Sequence, residues 1–219
     1  MGTITRTFAN NITTSGVFKP TAFNNASFDN VTSVPSGAVE GGNMVLLSTQ
    51  TASSSASISF TSGIDSTYKE YMFILNNIHP ATDNTNITFQ GSTDGGSSYG
   101  VTITSSVFQS FHFESDSAAG IGYETGRDLA QSTSYQILNS SVGNDSDQSA
   151  SGLLHIFEPS LDTFVKHFIY KGHCYAASDF STTLYVAGYF NTTSAINAID
   201  FKMSSGNIDD GTIQMFGIL

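Results

Sequence analysis

His173 and Cys174 stand side by side in "YKGHCYA", and a histidine next to the only cysteine of the chain raises the question of an activated thiolate. In an extended segment neighbouring side chains point to opposite faces, so this imidazole and this thiol do not meet. The acidic pairs Asp145 and Asp147 in "NDSD" and Asp209 and Asp210 in "NIDDG" offer the hard oxygens that Ca²⁺ prefers, but no EF-hand loop with its closing glutamate surrounds them. They read as solvated turn carboxylates. The two carboxylates of a glycosidase leave no local signature, because their separation is a property of the fold. His112 in "FQSFHFE" and His167 in "FVKHFIY" read as structural histidines. His-Glu-x-x-His, a P-loop and Cys-x-x-Cys are all missing. The expectation is no catalytic residue, no cofactor-binding residue and no metal ligand. A tyrosine in a polar loop can stack on a sugar ring, and Tyr99, Tyr123 and Tyr135 are nominated as ligand contacts on that ground.

The elements that would carry these residues are strands. The 219 residues include 17 Phe, 9 Tyr, 20 Gly and no Trp, and only 11% are charged, against ~25% in an average soluble domain. Polar positions are filled with Ser, Thr and Asn, which suit strands and turns better than helix surfaces. From Met44 onward, about eleven short apolar runs alternate with turn signals and no helical segment intervenes, the pattern of a sandwich or barrel. "NITFQ" and "GVTIT" alternate around "GSTDGGSSY", whose Asp-Gly-Gly suits a hairpin turn, so these two segments are expected to pair. Glu114 to about Ser151 is expected to be a long polar loop and a place for binding. In "AINAIDFKMSSGNIDDGTIQMFGIL", two alternating runs flank a polar turn, so the C terminus is expected in the core.

Residues 1–43 differ from the rest. Phe8, Phe18, Phe23 and Phe28 are spaced among Asn, Ser, Thr, Gly and Pro with neither helical period nor a strand long enough to fold alone. This composition describes an extended arm that orders on a neighbouring surface through those four phenylalanines. The fold expectation is therefore all-β, an antiparallel β-sandwich of jelly-roll type over residues 44–219 with an extended N-terminal arm over residues 1–43.

Charge removes two partner classes. Eighteen acidic residues against seven basic ones (Arg6, Lys19, Lys69, Arg127, Lys166, Lys171, Lys202) give a net charge of -11, and the seven are scattered. No basic patch exists to neutralise phosphates, so neither nucleic acid nor an anionic membrane is expected as a partner. "MGTITRTF" has no apolar core of a signal peptide, and no run is long enough to span a membrane. A single cysteine excludes an intrachain disulfide framework.

"RTFANNITTSGVF", "TSGIDSTYKEYMFILNNIHPATD", "FQGSTDGGSSYG", "DLAQSTSYQ" and "VAGYFNTTSAINAIDFKMSSGNIDDGTIQMFGI" together resemble the virion structural proteins of marine tailed bacteriophages, particularly those of cyanobacteria, and the modules that end phage fibre and appendage proteins. Members of that group are mostly unassigned beyond being part of the particle, so the resemblance implies a location and transfers no catalytic or binding residue. It implies a non-enzymatic protein of the virion surface, assembled in the host cytoplasm. The expected role is a tail-fibre or host-adhesion module, docked on other virion proteins through residues 1–43 and forming a homotrimer. A capsid decoration protein and a lectin-like module for a host surface glycan are the alternatives.

Overall fold

Strict alternation shapes the longest strands. In Lys166–Ala176, Phe168, Tyr170 and Cys174 are buried, while His167, Ile169, Lys171 and His173 face outward. That period of two marks a sheet with one face against a core. The computed structural model describes residues 44–219, which form an all-β, antiparallel fold. The strands are β1 (Met44–Thr51), β2 (Ile58–Phe60), β3 (Glu70–Pro80), β4 (Thr85–Ser92), β5 (Ile103–Phe113), β6 (Ala119–Tyr123), β7 (Gln136–Val142), β8 (Ala150–Phe157), β9 (Lys166–Ala176), β10 (Phe180–Phe190), β11 (Ala198–Met203) and β12 (Ile208–Ile218). The expected N-terminal arm, with Phe8, Phe18, Phe23 and Phe28, lies outside the described residues.

Eight strands make a jelly roll. One sheet runs β1-β12-β3-β8 and the other β7-β4-β11-β2, so among these eight strands every step along the chain changes sheet except β4 to β7. The first strand lies beside the last, the closing feature of the double Greek key. Two insertions enlarge the first sheet. β9 pairs with β8 and β10, β10 with β5, and β5 with β6, giving an eight-stranded sheet that ends at β6.

The long sheet folds back until β9 meets β7, where the backbone ladder amounts to Val142 opposite Ala176. Side chains extend that junction. Asn139 Nδ2 donates to the His173 carbonyl at 2.9 Å, and the Cys174 thiol donates to the Ser140 carbonyl at 3.3 Å. The two sheets are thereby joined along one side into a nearly closed barrel.

Between the sheets lies an aromatic core. Phe73, Phe168 and Phe190 from the long sheet meet Phe60, Phe89 and Phe201 from the short one, with ring centroids 5.0 Å apart for Phe89 and Phe168 and 5.3 Å for Phe60 and Phe73. All six are buried, and each contributes about 1.5–3 kcal/mol of apolar transfer with a further gain from edge-to-face contact.

Two local expectations fail. The turn after β4 forms with Gly95 and Gly96 at φ of 72° and 87°, but "NITFQ" and "GVTIT" do not pair. β4 is a central strand whose two edges are occupied by β11 and β7, so the chain leaves it through a loop and enters β5 in the other sheet. The polar stretch 114–151 is not one loop, for it contains β6, β7 and the start of β8. β7 buries Gln136, Asn139 and Ser140 beside Leu138 and Val142, and polar side chains in the interior erase the apolar alternation that marks a strand. The C-terminal expectation holds differently in detail. β12 is central, between β1 and β3, but β11 belongs to the opposite sheet and does not pair with it.

Candidate functional site

The register of the long sheet places its outward side chains in cross-strand rows. Leu153 in β8 stands opposite Lys171 in β9, Lys171 opposite Tyr185 in β10, Tyr185 opposite Phe108 in β5, and Phe108 opposite Tyr123 in β6. A second row runs His155, Ile169, Ala187, Ser106, and a third Ser151, His173, Thr183, Ser110, Ile121. Side chains directly opposite on antiparallel strands touch, so these rows form a continuous surface.

That surface carries large exposed apolar side chains among its Ser, Thr, His and Lys residues. Ile121 is 79% exposed, Ile169 52%, Phe108 49% and Tyr185 44%. Phe108 and Tyr123 meet edge to face with centroids 5.6 Å apart, and Lys171 Nζ lies 5.6 Å from the centre of the Tyr185 ring. The carboxylates that touch this face sit at its margins, Glu70 against the His155 ring and Asp128 against the Tyr123 hydroxyl. None of β8, β9, β10, β5 or β6 contains an Asp or Glu, in a chain that carries 18. Two shallow clefts of about 540 and 520 Å³ cross it, the second rimmed by Leu153, Lys171, His173, Thr183 and Tyr185.

The nominated tyrosines do not share one surface. Tyr123 belongs to the apolar face and donates from its hydroxyl to Asp128 at 2.6 Å. Tyr99 and Tyr135 turn instead toward the short sheet. Tyr135 donates to Asp200 Oδ2 at 3.0 Å, Ser59 donates to Asp200 Oδ1 at 2.5 Å, and Lys202 Nζ lies 3.8 Å from the centre of the Tyr135 ring. Burial is the main cause that holds the Tyr135 hydroxyl well above the usual phenol range, with the Asp200 charge adding to it. The Tyr99 hydroxyl is buried with no hydrogen-bond partner. Both side chains are half-buried over the polar outer side of β2 and β11, and Tyr99 also lines an open cleft of about 410 Å³ with Thr93, Ser98, Val101, Asn191 and Thr192.

The histidine and cysteine face opposite ways as alternation requires. His173 is exposed beside the Ser181 hydroxyl at 2.9 Å, whereas Cys174 is fully buried and burial pushes its thiol up to about 12. A thiol held protonated is a poor nucleophile. His112 and His167 are likewise exposed, His112 3.0 Å from Asp116 and His167 against the Tyr189 ring.

The acidic pairs converge more than their spacing suggests. Asp147, Asp209 and Asp210 line one open cleft of about 560 Å³ with Asn77 and His79. His79 Nε2 lies 3.3 Å from the Asp145 carbonyl and its Nδ1 3.9 Å from Asp209. The three carboxylates are exposed. Among the described residues no group of three or more His, Cys, Asp or Glu is placed to hold a metal ion.

The outward face is the feature that residue-by-residue reading passed over, although "KHFIYK" carries the signal. Phe168 and Tyr170 account for the inner side of the strand, and Ile169 sets a large apolar side chain between His167 and Lys171 on the outer one. Comparison with known proteins adds no assignment: no family model, no curated protein and no solved structure matches the chain.

Proposed function

We propose that this chain is a non-enzymatic structural protein of the exterior of a tailed-phage virion, a fibre or appendage module anchored through residues 1–43. The observation that carries the assembly part of this reading is the outward face of the long sheet. Monomeric proteins seldom expose contiguous apolar surface beyond a few hundred Å², and a larger patch marks a surface that another molecule covers. The resemblance to marine phage structural proteins supplies the particle. A capsid decoration protein would need the same face and differs in what the arm grips.

A glycan-binding reading has one observation in its favour. Tyr185 offers an aromatic ring with Lys171, His173 and Thr183 around the same cleft, the combination of platform and polar rim on which a sugar ring sits. It replaces the nominated trio with a different tyrosine.

Immunogold labelling of purified particles of the encoding phage tests the location. Gold on tail fibres or appendages is the expected result, gold spread over the head moves the protein to capsid decoration, and bare particles overturn the virion reading. Deleting residues 1–43 is expected to leave the protein expressed but missing from particles. Incorporation at the normal level would remove the arm from its assigned role.

A further inference from the structure

We infer that the outward face of β8, β9, β10, β5 and β6 is the contact between copies of this chain, which rests on the assembly reading above and names its partner. Three properties of the face select a second copy.

The first is size. With strands ~4.8 Å apart and ~3.3 Å of rise per residue, these five strands span roughly 700 Å². A stable interface of standard size takes about 800 Å² from each partner, so the face is what one copy has to contribute.

The second is charge. At -11, two copies repel one another across most of their surfaces. The five strands contain no Asp or Glu, and Lys171 is their one outward lysine. Approach through the middle of this face brings no carboxylate of these strands against another, and Glu70 and Asp128 at its margins are each hydrogen-bonded within their own copy, to His155 and Tyr123. A single lysine is too little to hold a strongly acidic partner or a nucleic acid.

The third is the kind of residue at the centre. Tyr185 and Phe108 stand on adjacent strands in the row, Tyr185 flanked by Lys171 and then Leu153, Phe108 by Tyr123, with Ile169 and Ile121 in the rows beside them. Aromatic anchors with Ser, Thr and His in the neighbouring rows reproduce the mix of anchor and polar contact of a protein interface. Growth by strand addition at β6 is disfavoured, because this edge strand is only five residues long. Face-to-face packing of sheets is the remaining geometry.

Sedimentation of the full chain over a wide concentration range tests the inference. Wild type is expected as a defined oligomer of the 23.3 kDa protomer. Ile169→Glu sets a carboxylate in the apolar field and is expected to weaken association at least 100-fold. Tyr185→Ser removes anchor area without adding charge and is expected to weaken it at least tenfold. Phe164→Glu, at an exposed position in the β8–β9 loop, is expected to leave the mass unchanged. Circular dichroism shows whether each variant keeps the strand content of wild type, and only folded variants are compared. A monomeric wild type at every concentration overturns the inference, and so does an oligomer that both Ile169→Glu and Tyr185→Ser leave intact, since residues 1–43 or another surface would then hold the copies. The virion reading fails separately: self-association through this face in a chain that immunogold does not find on particles removes the location and keeps the contact.

Discussion

Tyr170→Phe removes one oxygen from the middle of the junction between the two sheets. Tyr170 is 1% exposed, and its hydroxyl donates to Asn139 Oδ1 at 2.6 Å, while the Asn139 amide donates onward to the His173 carbonyl. The tyrosine sits in β9 and the asparagine in β7, so this bond ties the sheets where their backbone ladder is shortest. Phenylalanine fills nearly the same space, so the main loss is the donor to a buried amide oxygen, which costs about 1–3 kcal/mol. At about 2 kcal/mol, and ~2–4 °C per kcal/mol for a domain of this size, the melting temperature falls by about 4–8 °C. The denaturant midpoint moves with an unchanged slope, because neither state alters the surface it exposes.

The same substitution carries a pH signature. Burial pushes the Tyr170 hydroxyl far above the usual phenol range, so the folded chain keeps this proton where the unfolded chain releases it. A raised folded pKa contributes stability that is present below pH ~10 and lost as pH climbs above it, at ~1.4 kcal/mol per pH unit for each such tyrosine. Tyr170→Phe deletes one tyrosine's share of that slope, so the gap between wild type and variant narrows by about 1 kcal/mol or more between pH 9 and pH 11. Guanidinium titrations at pH 7, 9 and 11 read both effects. A variant as stable as wild type at pH 7, or a gap that stays constant to pH 11, would refute the assignment of this hydroxyl to a buried bond across the junction.

Two further outcomes follow from buried and capping groups. Lys166 is 1% exposed and donates to the Phe164, Thr192 and Thr193 carbonyls at 2.7, 3.3 and 3.0 Å, clamping the loop before β9 to the loop after β10. Lys166→Met leaves those carbonyls without their donor and is expected to cost about 3 kcal/mol in chemical denaturation, with proteolytic cutting first in residues 158–165 or 191–197. Hydrogen bonds from the Ser92 hydroxyl first, then from the Ser98 hydroxyl and Ser98 N–H, hold the Asp94 carboxyl at about 2, below its ordinary 3.8. A depressed folded pKa contributes stability above pH ~4 that is lost as pH falls through about 2, so amide exchange at Ser98 is expected to accelerate over that interval, and Asp94→Ala to show the fast rate already at pH 6.

The strand alternation of β9, β10 and β12 was legible because apolar side chains mark one face against solvent. The jelly-roll class followed from strand spacing and turn residues, but the pairing did not. Each strand has two edges, and periodicity says nothing about which partner fills them, as the unpaired "NITFQ" and "GVTIT" show. β7 escaped notice because its buried Gln136 and Asn139 have partners as distant as Ser105 and Tyr170, each 31 residues away in the chain, a relation invisible in a local window. Among the nominated tyrosines, Tyr123 lies on the long sheet's outward face, while Tyr99 and Tyr135 lie half-buried over the short sheet, since a polar neighbourhood in sequence does not fix which surface an aromatic ring joins. The face itself was hidden because Leu153, Ile169, Tyr185, Phe108 and Tyr123 come from five strands whose order is set only by the fold.

Hydroxyl-radical footprinting of the full-length protein measures the covering of that face most directly, because oxidation reports the solvent access of each side chain. Phe164, 66% exposed and outside the face, is the internal standard. If another molecule covers the long sheet, Tyr185, Phe108, Tyr123 and Ile169 are oxidised several-fold more slowly than their accessibility in a single chain requires, and Ile169→Glu restores the rate at the other three. Oxidation of all four in proportion to their single-chain exposure would contradict the account.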